Sequence, residues 1–283
     1  MRSEAALTAS MHARPDDVAA QRDAIAGLAE IASGFTDLKR AVIDVGGIAA
    51  VIQAMKQHVD DEEVQRQGCA ALRNVTAGDA RCREAVARAG GTVALVAAMR
   101  LFTSVLELQQ QGCGALRSLA AGATSAAVVD ADGATALVTA IEQHMDDRWL
   151  VQNAAAALGT LALGDPACKQ AVLRAESAAA VVAAMNRHAG STEVQQQGCY
   201  ALAAIAAGDA AGLRAVEAAD GPAVIAREHK HQASLASRLS NSKRSWMIRT
   251  GQGSSAQDLV PTGDVSPQAS GDVSPVRYYR GVT

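Results

Sequence analysis

Five cysteines, three histidines in a common register and a set of recurring polar residues are the side chains most able to carry chemistry here. Cys69, Cys113 and Cys199 share one repeated position, and Cys82 and Cys168 share another. A reactive thiol needs an activating partner such as a histidine, a nearby cation or a CxxC spacing. No CxxC or Cys-His arrangement accompanies Cys69, Cys113 and Cys199, so they read as small buried hydrophobes. His58, His144 and His188 each lie 17 residues after a repeat alanine, Ala41, Ala127 and Ala171. One zinc ion needs ligands at about 2 Å, whereas packed helices stand about 10 Å apart. The histidines are therefore expected as turn residues at helix ends, and no metal site is expected. Gly46-Gly47 and Gly90-Gly91 lack the lysine and the preceding strand of a phosphate loop. They read as helix punctuation. No catalytic residue and no cofactor is expected.

The elements that must position these residues repeat along the chain. The stretch VQRQGCAALRNVTAGD from Val64 returns as LQQQGCGALRSLAAGA from Leu108, LVQNAAAALGTLALGD from Leu150 and VQQQGCYALAAIAAGD from Val194. The inner residues Gly68, Gly112, Ala154 and Gly198, and the closing glycines Gly78, Gly122, Gly164 and Gly208, both step by 44, 42 and 44. A degenerate copy places Ala24 and Gly34 another 44 residues earlier. A period of this length marks an array of stacked helical units. Within one unit, Leu38 to Val45 predicts a short helix, Gly46-Gly47 a break, and Ile48 to Lys56 a second helix with apolar residues three and four apart. His58 to Asp61 predicts a turn, with Asp60 or Asp61 capping a third helix over Glu63 to Ala77 that Gly78 ends.

Composition agrees with helices packed through small contacts: aromatic residues are 2% of the chain and alanine is abundant. The expected organisation is a loose lead-in over residues 1–17, with helical character at Glu4 to Ala13, then an array over 18–239. The array divides into a partial unit 18–34, units at about 35–78, 79–122, 123–164 and 165–208, and a closing unit 209–239 with a helix over Val224 to Leu239. Residues 240–283, rich in Ser, Gly and Pro and carrying GDVSP twice, are expected to be a disordered tail. Before Arg227 the chain holds 18 Lys and Arg against 25 Asp and Glu; from Arg227 it holds 8 against 4. The basic strip Lys230–Arg249 admits three readings: a solubilising tail, a weak nucleic-acid or anionic-membrane contact, or a strip that docks on the acidic body. Ser266 and Ser274 precede proline and are candidate regulatory phosphorylation sites. The opening residues, with Glu4, Asp16 and Asp17, lack a signal-peptide pattern, and no stretch of 18 apolar residues suits a membrane span. Unpaired thiols point to a reducing compartment, cytoplasmic or nuclear.

Ala41, Val42, Gly46, Gly47, Val51 and Ile52, followed by Val64, Gln65, Gly68, Cys69, Ala71, Leu72, Asn74 and Gly78, resemble the armadillo repeat over roughly residues 18–235. The Gln-Gly-Cys-x-Ala-Leu variant is similar to units of multidomain repeat kinases and of protist and algal armadillo proteins. The resemblance implies an all-α, right-handed armadillo-type superhelix and a non-enzymatic scaffold. Such a scaffold binds an extended peptide or partner protein in a concave groove lined by third helices. Nuclear-import members grip cargo with a Trp and an Asn on each third helix. Here the Asn position holds Glu30, Asn74, Ser118, Thr160 and Ala204, and the Trp position holds Ala26, Ala70, Gly114, Ala156 and Tyr200. An import receptor is thus not implied. The candidate groove residues are Arg73, Asn74, Arg117, Ser118, Thr160 and Tyr200. The recurring Gln65, Gln67, Gln109, Gln111, Gln195 and Gln197 either join neighbouring helices or face solvent. The rival reading is a structural or assembly module that uses its end-faces or convex surface.

Overall fold

The same three-helix unit recurs in the computed structural model, which describes residues 3–208, 210–228 and 230. First helices are α3 (Thr36–Asp44), α6 (Ala80–Arg88), α9 (Ser125–Asp130), α12 (Pro166–Arg174) and α15 (Ala210–Ala218). Second helices are α1 (Glu4–Ala13), α4 (Gly47–Gln57), α7 (Gly91–Leu101), α10 (Gly133–Gln143) and α13 (Ser177–Arg187). Third helices are α2 (Val18–Ala32), α5 (Glu62–Thr76), α8 (Leu106–Leu119), α11 (Arg148–Ala162) and α14 (Thr192–Ala206). A 3-10 turn, Gly122–Thr124, precedes α9. The fold is an all-α helix-repeat solenoid. Contacts divide the chain into a body, Met1–Val224, and a second unit from Ile225, of which residues 225–228 and 230 are described and helical. The rest of the Lys230–Arg249 strip, Ser266 and Ser274 lie outside the described residues, as does the remainder of the expected closing helix.

Each unit is built by the same local chemistry. Asp61 accepts a hydrogen bond from the Val64 amide at 2.9 Å and so caps α5; Asp17, Asp147 and Ser191 cap α2, α11 and α14 in the same way. Val105 heads α8 without a side-chain cap. First and second helices meet at one left-handed residue, Gly46 (φ 75°) and Gly90 (φ 83°) in two units, but Asp132 (φ 58°) and Glu176 (φ 54°) in the next two. The core runs down the array in register: Val42, Val86, Val128, Val172 and Val216 on first helices, and Leu28, Leu72, Leu116, Leu158 and Leu202 on third helices, are all buried. Each such side chain stabilises by roughly 1.5–3 kcal/mol. The third helix approaches the second most closely at Gly68, Gly112 and Gly198. A methyl group built there would come within 2.4–2.5 Å of Met55, Met99 and Met185. In the unit where alanine (Ala154) takes the glycine position, Ile141 takes the methionine position.

The opening residues are not a loose lead-in. α1 is the second helix of a further unit, packed on α2 and α4 with Leu7 and Met11 buried. Gln21 ties it down, donating to the Met11 and Arg14 carbonyls at 2.9 and 2.8 Å. The reason is register: Met11 and Gln21 repeat the Met55 and Gln65 pair, and burial of that pair holds the helix.

The recurring glutamines divide in two. Gln65, Gln109 and Gln195 are buried, and each donates to the methionine carbonyl of the preceding second helix at 2.7 Å and to the carbonyl of its C-cap residue at 3.0 Å. They join second to third helices and are not presented to a ligand. The histidines are C-caps of second helices. The Nε2 atoms of His58, His144 and His188 lie 2.8, 2.7 and 2.7 Å from the carbonyls of Pro15, Thr103 and Met145, so each ring donates to the turn of the preceding unit. Among the described residues no group of three or more His, Cys, Asp or Glu is placed to hold a metal ion, and no helix is long and apolar enough to cross a membrane. Cys69, Cys82, Cys113 and Cys168 are buried and Cys199 is half-buried; all five are unbridged.

Candidate functional site

Third helices pack in sequence, α2 on α5, α5 on α8, α8 on α11 and α11 on α14, the most extensive contacts in the body. Residues on one side of this ladder therefore come together from separate units. Arg73, in the last turn of α5, sends its side chain across the middle helix of three. Its Nη1 donates to Gln111 Oε1 on α8 at 3.1 Å, and its guanidinium carbon lies 5.0 Å from the ring centroid of Trp149 on α11. Gly114 leaves room for this reach: a methyl group there would sit 2.9 Å from Arg73 Nε and 3.2 Å from Trp149 Cη2. A guanidinium stacked on an indole gains about 0.5–2 kcal/mol and keeps its in-plane N–H groups available.

One unit on, Arg117 repeats the contact. Its Nη1 donates to Asn153 Oδ1 at 2.8 Å, and buried Asn153 is itself fixed by donating to the Trp149 carbonyl at 2.7 Å. Arg117 is exposed and Arg73 half-buried. Tyr200 on α14 lays its ring over Gly159 of α11, where a methyl group would come within 2.8 Å, and its hydroxyl is 3.4 Å from Thr160 Oγ1. Arg73, Arg117, Thr160 and Tyr200 thus share a face, and Trp149 joins them.

Asn74, Ser118 and Thr160 each make an internal bond. Asn74 Nδ2 donates to the Ala29 carbonyl of the preceding third helix at 2.9 Å, which leaves it bracing the stack. Ser118 Oγ donates to Gly114 O on its own helix at 3.3 Å, and Thr160 Oγ1 to Ala156 O at 2.8 Å. Sequence reasoning passed over Trp149 because it stands at the start of its helix, in the register of Glu63, Glu107 and Glu193. Its scarcity in an aromatic-poor chain was the available signal.

Charges along the ladder are unevenly matched. Arg22 pairs with Asp61, and Arg66 bridges Glu63 at 2.6 Å and Glu107 at 2.5 Å. The Arg22 hydrogen bond, helped by the Val64 amide, holds the Asp61 carboxyl below the usual carboxylate range. Burial pushes the Cys69 thiol up to about 12 and raises Cys113 as well, so neither is a thiolate at neutral pH. The face offers hydrogen-bond donors, cations and two aromatic rings. Those groups suit it to recognition.

Comparison with known proteins agrees with this geometry. The family model for the armadillo/beta-catenin-like repeat matches residues 35–77. No curated protein sequence matches the chain. Among solved structures, one engineered protein is similar at 30% identity and a TM-score of 0.67, the match covering 79% of this chain and 87% of that one. A computationally designed armadillo repeat protein for modular peptide recognition is similar in fold, with 23% identity, a TM-score of 0.68 and coverage of 82% and 98%. A designed armadillo repeat protein solved in complex with the peptide (KR)4 is also similar in fold, with 19% identity, a TM-score of 0.67 and coverage of 79% and 90%. With the three-helix unit, its period and its glycine punctuation all in place, the chain carries an armadillo/beta-catenin-like repeat and has the armadillo-repeat fold.

Proposed function

We propose that this armadillo-repeat protein is a non-enzymatic scaffold that holds an extended segment of a partner protein along its third-helix ladder. The observation that carries the reading is the convergence of Arg73, Arg117, Trp149 and Tyr200, from four successive third helices, on one face. Arg, Trp and Tyr are the residues that most often dominate binding interfaces. Designed proteins of the same fold made for peptide recognition support the reading, and one of them is solved with a peptide. The five unbridged cysteines fit a reducing compartment, the cytoplasm or nucleus.

The rival reading is assembly through outer surfaces. Phe35, 86% exposed at the start of α3, and Leu163, 51% exposed after α11, favour it. Selection of a random twelve-residue peptide library on the immobilised full chain separates the two. Selected peptides should bind the R73A/R117A/Y200A variant at least about tenfold more weakly. Peptides that bind that variant unchanged, and lose binding to Phe35→Ser, would transfer the function to the outer surface.

A further inference from the structure

We infer that the ladder reads acidic side chains: the carboxylates of an extended peptide dock on Arg73 and Arg117. The inference rests on the ladder reading and adds the chemistry of the ligand. Several arginines elsewhere in the body are neutralised, although others, such as Arg83 on the Gly78 carbonyl, are not. Arg22, Arg40, Arg66, Arg81, Arg100 and Arg187 each meet at least one Asp or Glu. Arg73 and Arg117 are held differently. Their partners are the amide oxygens of Gln111 and Asn153 and the face of Trp149.

An amide fixes the direction of a guanidinium without discharging it. The position that supplies it holds Gln67, Gln111, Asn153 and Gln197 in successive units. A carboxylate there would have formed an ion pair, as Glu107 does with Arg66. Each guanidinium has five N–H donors, and one on each is engaged by these amides, so a bidentate edge is left for a carboxylate.

The spacing fits an extended chain. Packed helices stand about 10 Å apart, and residues three apart in a strand span about 10 Å. Long arginine side chains also reach residues two apart. Before Arg227 there are 25 acidic residues against 16 basic ones besides Arg73 and Arg117, which offers acidic chains little alternative footing.

The test uses the full chain carrying Trp246→Phe, so that Trp149 is the one tryptophan, and three labelled ten-residue peptides: alternating Glu-Ser, Gln-Ser and Lys-Ser. Binding is read by anisotropy and by Trp149 emission. The Glu-Ser peptide should bind at least about tenfold tighter than the Gln-Ser peptide and change Trp149 emission. Arg73→Gln and Arg117→Gln should each weaken it about tenfold, the value of one charge-assisted hydrogen bond. Arg117 is exposed, so its variant keeps the fold; R117E should in addition improve binding of the Lys-Ser peptide. Glu-Ser binding unchanged in R73Q and R117Q would place the contact on the basic strip Lys230–Arg249 and overturn the inference. So would preference for the Lys-Ser peptide, or no Glu-Ser binding. None of these three outcomes touches the ladder reading, which stands or falls on the library selection with R73A/R117A/Y200A.

Discussion

Replacing Gly112 with alanine should destabilise the array, and replacing Met99 with isoleucine in the same chain should restore it. A methyl group at residue 112 would lie 2.4 Å from Met99 Sδ and 2.6 Å from its Cγ, where carbon contacts normally settle at about 3.5–4.0 Å. Met99 is 2% exposed, so the clash acts as overpacking, worth about 1–3 kcal/mol. Better helix propensity returns about 1 kcal/mol, so the net loss expected for G112A is up to about 2 kcal/mol. The chain itself shows the compensated pair, since Ala154 and Ile141 hold these two positions in another unit. M99I alone should cost up to about 1.5 kcal/mol through a poorer fit, while the double variant should approach the parent. Urea denaturation of the four proteins gives the coupling, expected at about 1–3 kcal/mol in favour of the pair. If G112A were more stable than the parent, or the two changes added to within about 0.5 kcal/mol, the account of this contact would be wrong.

Further outcomes follow from particular bonds. Glu176, left-handed at φ 54° and without a side-chain bond among the described residues, should yield about 1 kcal/mol of stability as Glu176→Gly, whereas Asp132→Gly should gain less because Asp132 holds Thr135 and Arg100; thermal melts compare them. Gln65→Leu, which removes the donor from two carbonyls at the end of α4, should cost about 1–3 kcal/mol in urea and leave helix content unchanged. Asp61 has a folded pKa below its unfolded value of about 3.9, so its contribution is complete above that pH and is lost as pH falls through the folded pKa. Asp61→Asn should therefore lower stability at pH 7 and flatten its decline below pH 4, as read by denaturation across pH. Cys69, its thiol pushed up to about 12, should resist alkylation at pH 8 until the body unfolds, as mass spectrometry of the labelled protein would show.

The fold was legible because period and punctuation are carried by single residues: aspartates that cap, left-handed glycines between first and second helices, and aliphatic residues in register. The site was legible in part. Arg73, Arg117 and Tyr200 stand at repeat positions, so their placement on third helices follows from register. Trp149 does not, because its meeting with Arg73 spans two units and depends on Gly114 leaving the middle helix bare. For Asn74 the register suggests a ligand contact, and the close stacking of α5 on α2 adds a bond that register does not reveal, from its amide to the Ala29 carbonyl. The buried glutamines were ambiguous for a physical reason: a side-chain amide suits water and backbone carbonyls equally, and burial alone separates the two. α1 was underread because its sequence has a weak apolar stripe, and its place is set by the Met11–Gln21 contact.

The most direct test of the central claim is amide hydrogen exchange of the full chain, alone and saturated with a peptide from the library selection. The ladder account predicts slowed exchange concentrated in α5, α8, α11 and α14, absent from the R73A/R117A/Y200A variant. Protection confined to first helices such as α3 and α12, with the third helices unchanged, would contradict it.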